Sequence, residues 1–468
     1  MLKTASEEYE PPAYLGEAAI RGLAFKAFYV ASGRPSFVAN VTRWDDLYRG
    51  SRETLDSAVK SNLSALVRHA CETVPFYRDF TYKHSDDNVV ATLSRLPILT
   101  KDIIRREGKR LQSSAPGQKT RWNTSGGSTG EPVRLLQDHR MARDVTANKM
   151  LFMRWLGFRP GEPHLLIWGQ PQETFHEGLS LRERVYRRVH NQTYLNCYEI
   201  SDDVLRQWAE WIVAHRPSII EAYADAIADL SRYVRARGIR LPRPRGIITS
   251  AGVLTEQMRD VVTATFRAPV LNRYGSREVG DVACSCLSEN GLHISELSYF
   301  VEVVDANGEG CAPGTEGDVL VTLLSNYTMP LIRYRIEDRA AWASVPCSCG
   351  RITRRLVTVF GRRNDYLVAR DGTHINGTAL TTLLYSVAGI RRFQYRQTRD
   401  GVVLSIVPAQ AGGEPALRRE LEPLMVRARQ LLRGTELGLG FVDQIPPSPS
   451  GKHRYIINDL QSQPPAGK

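Results

Sequence analysis

No run of about 18 or more apolar residues occurs in this sequence, which excludes a transmembrane helix. The first ten residues, Met-Leu-Lys-Thr-Ala-Ser-Glu-Glu-Tyr-Glu, are acidic and lack an apolar centre, so they are not a secretory signal. The cytoplasm is the expected compartment, and no membrane partner is expected. Cysteine is scarce and odd in number, seven in 468 residues, which argues against a disulfide framework. Long blocks of one charge are also missing. Lys and Arg outnumber Asp and Glu by 62 to 50, a net charge of +12, but the basic residues are scattered in short runs such as Arg105-Arg106 and Arg354-Arg355. No zinc-finger or RNA-recognition signature accompanies them, so nucleic acid is not an expected partner. Internal repeats and long low-complexity segments are absent as well.

What remains is an ordinary globular composition, 42% hydrophobic and 24% charged. The length allows two to four domains at about 150 residues each. Apolar spacing predicts helices over 53–80, 138–158 and 255–266, with Thr100 capping another from Lys101 onward. Residues 202–238 read as two helices. Short apolar runs ending in small residues, 164–169, 245–252 and 268–275, read as buried strands. Strands alternating with helices predict a helix-covered parallel sheet, with ligands beyond the carboxyl ends of its strands, where 124–132, 250–252 and 272–278 fall. From about 298 the pattern turns β-rich, with strands at 299–304 and 317–324 divided by Asp305-Ala-Asn-Gly308 and Pro313-Gly314. The expected fold is α/β. A large domain over 1–363 has helix-covered sheets and a β-rich subdomain at about 298–360. A small mobile α+β lid domain over 364–468 follows, with a strand–helix–strand–helix rhythm.

Thr124-Ser-Gly-Gly-Ser-Thr-Gly-Glu-Pro132 is the densest cluster of glycine and hydroxyl side chains. Glycines let backbone N–H groups approach phosphate oxygens, and the hydroxyls add donors. Glu131 and Pro132 stand where a P-loop would place Lys-Ser/Thr, which disfavours a kinase or P-loop ATPase. Far downstream, Pro446-Pro-Ser-Pro-Ser-Gly-Lys-His-Arg454 sets a single lysine, Lys452, on a turn of Pro, Ser and Gly.

The order Thr-Ser-Gly-Gly-Ser-Thr-Gly-Glu-Pro resembles the phosphate-binding signature of the adenylate-forming superfamily. More narrowly it looks like the branch of phenylacetate-CoA ligase, CapK and coenzyme F390 synthetase. Five further segments resemble the same branch, in its order. Val74-Pro-Phe-Tyr-Arg78 and Leu96-Pro-Ile-Leu-Thr-Lys101 are similar to its N-terminal landmarks. Tyr274-Gly-Ser-Arg-Glu278 resembles its adenine motif, and Arg333-Tyr-Arg-Ile-Glu-Asp338 the segment ending in the ribose-binding aspartate. Gly361-Arg-Arg-Asn-Asp365 resembles the hinge, and Pro449-Ser-Gly-Lys452 the catalytic-lysine motif.

The resemblance implies an ATP-dependent carboxylate ligase that forms acyl-AMP and pyrophosphate. The acyl group, expected to be an aryl acid's, then passes to coenzyme A. The alternative acceptor is an amine or hydroxyl, as in a CapK-like ligase. A remote alternative is a nucleotide-binding protein without turnover. Carried over, Thr124, Ser125, Gly126, Gly127, Ser128, Thr129 and Gly130 would wrap the ATP phosphates. Ser250, Ala251, Gly252, Asn272, Arg273, Tyr274, Gly275 and Ser276 would line the nucleotide and acyl pocket. Glu278 would hold Mg²⁺, a hard ion suited to carboxylate and phosphate oxygens. Asp338 would take the ribose hydroxyls with Arg362 nearby, and Lys452 would stabilise charge as pyrophosphate leaves. Asn364 stands at the hinge, where Asp or Lys is usual. Together with Arg370-Asp-Gly-Thr-His-Ile-Asn376, it departs from the phenylacetate-ligase pattern. Trp168, Gly169, Tyr198 and Tyr223 are candidate acyl-pocket walls. The protein is expected to act as a monomer or homodimer.

Cys284-x-Cys286-x₆-His293 and a later Cys347-x-Cys349 offer soft thiolates and one imidazole, a donor set for structural zinc. Both Cys284 and Cys286 are eligible on spacing. The same branch carries Cys-x₆-His and Pro-Cys-x-Cys-Gly, which implies Cys286, His293, Cys347 and Cys349 as ligands and leaves Cys284 spare.

Overall fold

The structure is a computed structural model. It describes residues 15–31, 37–78, 89–115, 119–124, 133–169, 181–197, 200–288, 291–362, 366–371, 374–376, 380–381, 383–384, 387, 389–410, 412–446 and 453–461. The chain divides into two compact units whose main break falls between Val359 and Phe360, with Glu337–Arg339 grouped with the second.

The first unit is built on an eleven-stranded sheet. Five strands, Gln192–Asn196, His164–Trp168, Ile219–Tyr223, Gly246–Ser250 and Val270–Ser276, run parallel side by side. Such strands are covered on both faces and are apolar at successive positions. Here Ile220, Ala222, Ile247 and Val270 join one core with helices Asp202–His215, Ala224–Ala236 and Glu256–Phe266. Their neighbours Ile219, Ile248 and Leu271 pack on the opposite face against helix His139–Trp155. The sheet turns antiparallel at Gly280–Ser285, which pairs with Val270–Ser276 and with Leu292–Ile294. Arg355–Arg362, Tyr334–Trp342, Gly317–Leu323 and Tyr299–Val304 complete it in that spatial order. The region expected to be β-rich is thus continuous with the parallel sheet.

The local starts follow the capping chemistry of the sequence. Ser51 caps helix Arg52–Thr73 through Thr54 N (3.2 Å), and Thr100 caps Lys101–Glu107 through Ile103 N (3.3 Å). Leu55, Val59, Leu63, Leu66, Val67 and Ala70 form the buried stripe of the first of these.

Two expectations need correction. Residues 202–238 contain strand Ile219–Tyr223 between the two helices. Glu and Ala within Ile-Ile-Glu-Ala-Tyr are weak strand formers, and burial with a paired glutamate outweighs that propensity. Residues flanking the Gly-rich segment do not belong to the parallel sheet. Thr120–Thr124 and Arg134–Asp138 form a separate antiparallel pair, with Thr124 opposite Arg134. The second unit has four described strands before its long helix, of which Tyr366–Val368 and His374–Asn376 pair antiparallel. Ile390–Thr398 and Gly401–Pro408 make a hairpin, helix Glu414–Leu431 follows, and Leu437–Phe441 and Ile456–Asn458 add in parallel at the two edges. Phe393, Tyr395, Leu404, Ile406, Leu417, Leu421 and Met425 form its core. No helix among the described residues is long and apolar enough to cross a membrane.

Candidate active site

Strand Val270–Ser276 leaves the parallel sheet through a tight turn that presents Glu278. Two glycines close this turn. A Cβ at Gly275 would collide with the Gly280 carbonyl oxygen. Gly280 has φ +86°, and a Cβ there would lie 2.5 Å from Val145 Cγ2 and 3.1 Å from Tyr299 Oη. Three successive carbonyls of the turn each accept a side-chain hydrogen bond. Asn123 Nδ2 donates to Arg277 O at 2.9 Å, and Gln137 Nε2 is shared between Arg277 O (3.5 Å) and Glu278 O (3.4 Å). Tyr299 Oη donates to Val279 O at 2.9 Å. Burial, then the nearby Asp281 carboxylate, pushes the Tyr299 phenol well above its usual range, so it keeps the proton it donates. Glu278 itself is buried.

Beneath the turn lies a buried charge network contributed by four strands. Glu221 meets Arg273 in a close ion pair and His164 Nε2 at 2.8 Å, and Arg273 Nε is 3.3 Å from Asp281 Oδ1. Burial opposes the Glu221 charge. The Arg273 guanidinium and His164 nonetheless hold its carboxyl well below the ordinary range. Arg273, expected among the nucleotide-binding residues, therefore has its guanidinium engaged inside the sheet. It also lies 5.6 Å from the Trp168 ring.

Trp168 and Tyr223 meet edge to face at 4.5 Å, and Tyr223 Oη donates to Gly169 O at 2.7 Å. These three candidate pocket residues thus come together at neighbouring strand ends. Ser250 ends the next strand, and Ala251 after it has φ +68°, a left-handed conformation that costs a non-glycine residue about 1–2 kcal/mol. Gly252 follows, exposed. Asn272 N donates to Ser285 Oγ at 2.8 Å, and Tyr274 and Ser276 are half-buried. Asp338 lies on strand Tyr334–Trp342 directly after Glu337, whose φ of +71° breaks the strand's regular alternation. Arg362 ends strand Arg355–Arg362.

Thr124 ends its strand and is exposed. Ser125, Gly126, Gly127, Ser128, Thr129, Gly130, Tyr198, Asn364 and Lys452 lie outside the described residues. The chain after Lys452 is held firmly. His453 Nε2 is 2.8 Å from Phe393 O, Gln394 Nε2 donates to Arg454 O at 2.8 Å, and Ile456–Asn458 pairs with Tyr395–Gln397.

Cys286, His293, Cys347 and Cys349 converge, their ligand atoms all within 4.8 Å of one another. Cys286 Sγ is 3.5 Å from Cys347 Sγ, and Cys349 Sγ is 3.3 Å from His293 Nε2. Tetrahedral zinc with bonds of about 2.0–2.3 Å implies edges of roughly 3.3–3.8 Å, so the two close pairs match and the widest, within 4.8 Å, would have to draw in; the donor types suit the ion. His293 Nδ1 contacts Thr353 Oγ1 at 2.7 Å, which fixes the ring and aims Nε2 at the thiols. Burial, then Arg351 and Arg355, lowers His293 to about 3 and keeps the imidazole neutral. Cys284 packs instead in the core around helix His139–Trp155 and stands apart from the four.

Sequence reasoning missed Asn123, Gln137, Glu221 and Tyr299. A glutamate inside an otherwise apolar buried run was the one available signal for Glu221. Amide side chains flanking the Gly-rich segment were the signal for Asn123 and Gln137.

Comparison with protein-family models returns no match. Among solved structures, 2-hydroxyisobutyryl-CoA ligase in the postadenylation state superposes with a TM-score of 0.71 at 18% identity, over 89% of this chain and 92% of that one. Anthranilate CoA ligase AuaEII with anthranoyl-AMP superposes with a TM-score of 0.53 at 16% identity, over 75% and 68% of the two chains. The fold is that of the adenylate-forming ligases. By sequence, protein CapK of Staphylococcus aureus is 24% identical over 378 residues, 80% of this chain and 81% of CapK. Phenylacetate-coenzyme A ligase of Thermus thermophilus is 26% identical over 370 residues, 75% of this chain and 80% of that enzyme. In sequence as in fold, the chain is similar to adenylate-forming ligases of the phenylacetate-CoA ligase and CapK type.

Proposed function

We propose that this protein is an ATP-dependent carboxylate ligase that makes an acyl-adenylate and then transfers the acyl group to coenzyme A. The observation that carries the reading is the braced turn at 277–279, which fixes Glu278 in a chain whose relatives are phenylacetate-CoA ligases and CapK. A carboxylate oxygen of the acid attacks the α-phosphorus of ATP, the bond to the β-phosphate oxygen breaks, and pyrophosphate leaves. The thiol of coenzyme A then attacks the acyl carbonyl, gives up its proton, and AMP departs. Ser125–Gly130 and Thr124 bind the phosphates, Asp338 takes the ribose hydroxyls with Arg362 alongside, and Lys452 balances the charge developing at the α-phosphate. Glu278 holds Mg²⁺, which neutralises phosphate charge when bound. Trp168 and Tyr223, beside Gly169, form an aromatic wall for an aryl acid.

The acceptor is tested by product mass. Incubation with ATP, acid and coenzyme A should yield the thioester and AMP. An amide or ester appearing only with an amine or hydroxyl acceptor, and no thioester, would replace the coenzyme A step with the CapK-like alternative.

The Cys286, His293, Cys347 and Cys349 cluster holds structural zinc that ties the loop at 345–354 to strand Leu292–Ile294. Metal analysis should find about one zinc per chain. Stripping it should lower the thermal midpoint by about 5 °C or more, since metal binding contributes directly to folding. Cys284→Ser should keep full zinc, because Cys284 lies in another core; Cys347→Ser should lose it. Zinc well below one per chain in the unaltered protein would end the assignment.

A further inference from the structure

We infer that Asn123 and Gln137 form an amide clamp that positions Glu278 for Mg²⁺–ATP, a positioning role that rests on the adenylation reading above. The two residues sit on facing strands at the stem of the Gly-rich phosphate segment, Asn123 immediately before Thr124 and Gln137 paired with Arg121. Both amides reach across to the turn that carries the carboxylate. Asn123 Nδ2 takes Arg277 O, and Gln137 Nε2 takes Arg277 O and Glu278 O. The orientation of each amide is fixed from its other side. Asn123 Oδ1 accepts from Thr124 N at 2.9 Å, and Gln137 Oε1 accepts from Arg121 Nη2 at 3.4 Å. Each amide therefore has one end on the stem of the phosphate segment and the other on the Glu278 turn.

The stem itself cannot slide. Asp138 Oδ1 caps the following helix through Arg140 N and Met141 N, while Oδ2 accepts from Tyr327 N at 2.9 Å. Asn326 Nδ2 donates to Leu136 O at 3.0 Å, and its Oδ1 accepts from Asp138 N at 3.2 Å. The turn is fixed independently by Tyr299 and by the close approach of Gly275 and Gly280. Two rigid pieces, one leading into the phosphate segment and one carrying the metal-holding carboxylate, are thus spaced by two side-chain amides. A cation that Glu278 would hold for bound nucleotide would be sensitive to that spacing, because hard cations demand fixed oxygen geometry. Bare nucleotide, held without the carboxylate, is not.

The experiment is a Mg²⁺ titration of a fluorescent ATP analogue binding to the full chain, for the unaltered protein and for Gln137→Met, Asn123→Ala and the double variant. Methionine keeps most of the buried volume of Gln137 and removes its hydrogen bonds. Asn123 is only half-buried, so its alanine variant keeps the test alive if the other folds poorly. The Mg²⁺ concentration for half-maximal binding should rise about tenfold in the double variant, with smaller rises in the single ones. Binding without Mg²⁺ should stay within about twofold of the unaltered protein. Folded variants with an unchanged Mg²⁺ response would overturn the clamp alone. Equal loss of binding with and without Mg²⁺ would reduce it to a merely structural contact and also overturn it. An unaltered protein that binds no nucleotide at all would overturn the adenylation reading and the clamp together.

Discussion

Lys452→Ala is expected to lower acid-dependent ATP–pyrophosphate exchange by about two to three orders of magnitude while shifting the thermal midpoint by no more than about 2 °C. In the sequence the lysine follows Pro449-Ser-Gly, with no large apolar residue from Pro446 to Arg454. The chain just beyond it is anchored without it, through His453 to Phe393 O, Gln394 to Arg454 O, and the parallel pairing of Ile456–Asn458. On the proposed mechanism, removing the side chain removes charge at the reacting phosphate and little else. Lys452→Arg should restore only part of the rate, since a planar guanidinium does not replace a compact ammonium on a flexible stem. Exchange at the unaltered rate in Lys452→Ala would remove the lysine from the chemistry.

The largest stability effect is expected at the buried charge network. Glu221→Gln should destabilise the first unit by about 3–5 kcal/mol in denaturant unfolding, because Arg273 and His164 would lose their shared carboxylate inside the sheet. The pH dependence has a definite sign. The Glu221 carboxyl is held below its ordinary value, so its contribution is present above the unfolded carboxyl pKa of about 4.3 and is lost as pH falls through the lower folded value. The deficit of Glu221→Gln should be full at neutral pH and shrink under acid conditions. A deficit under about 1 kcal/mol at pH 7 would show that the network is not the brace described.

How far the sequence reveals this molecule depends on how local each determinant is. Helix caps such as Ser51 and Thr100 act within three residues, and Thr100 was legible as a start signal. The parallel strands at 164–168, 246–250 and 270–276 were legible because burial on both faces leaves an unbroken apolar run. Strand Ile219–Tyr223 was not, because Glu221 belongs there only once Arg273 and His164 arrive from neighbouring strands. The thiol and imidazole cluster was legible from residue type. The separation of Cys284 from Cys286 was legible only through the family resemblance, since it depends on which core each side chain enters. The braced turn lay furthest from view. Asn123 and Gln137 bond to backbone carbonyls about 150 residues away, and a carbonyl carries no sequence signal. Glu278 was legible only through its motif, and the structure adds why its turn is rigid.

The central claim is that this chain activates a carboxylic acid as its adenylate. Purified protein should be supplied with labelled pyrophosphate, ATP, Mg²⁺ and a panel of aryl and aliphatic acids. The account predicts label entering ATP only when a particular acid is present, with an aryl acid giving the fastest exchange. Release of ADP and phosphate in place of AMP and pyrophosphate, or exchange indifferent to every acid, would contradict it.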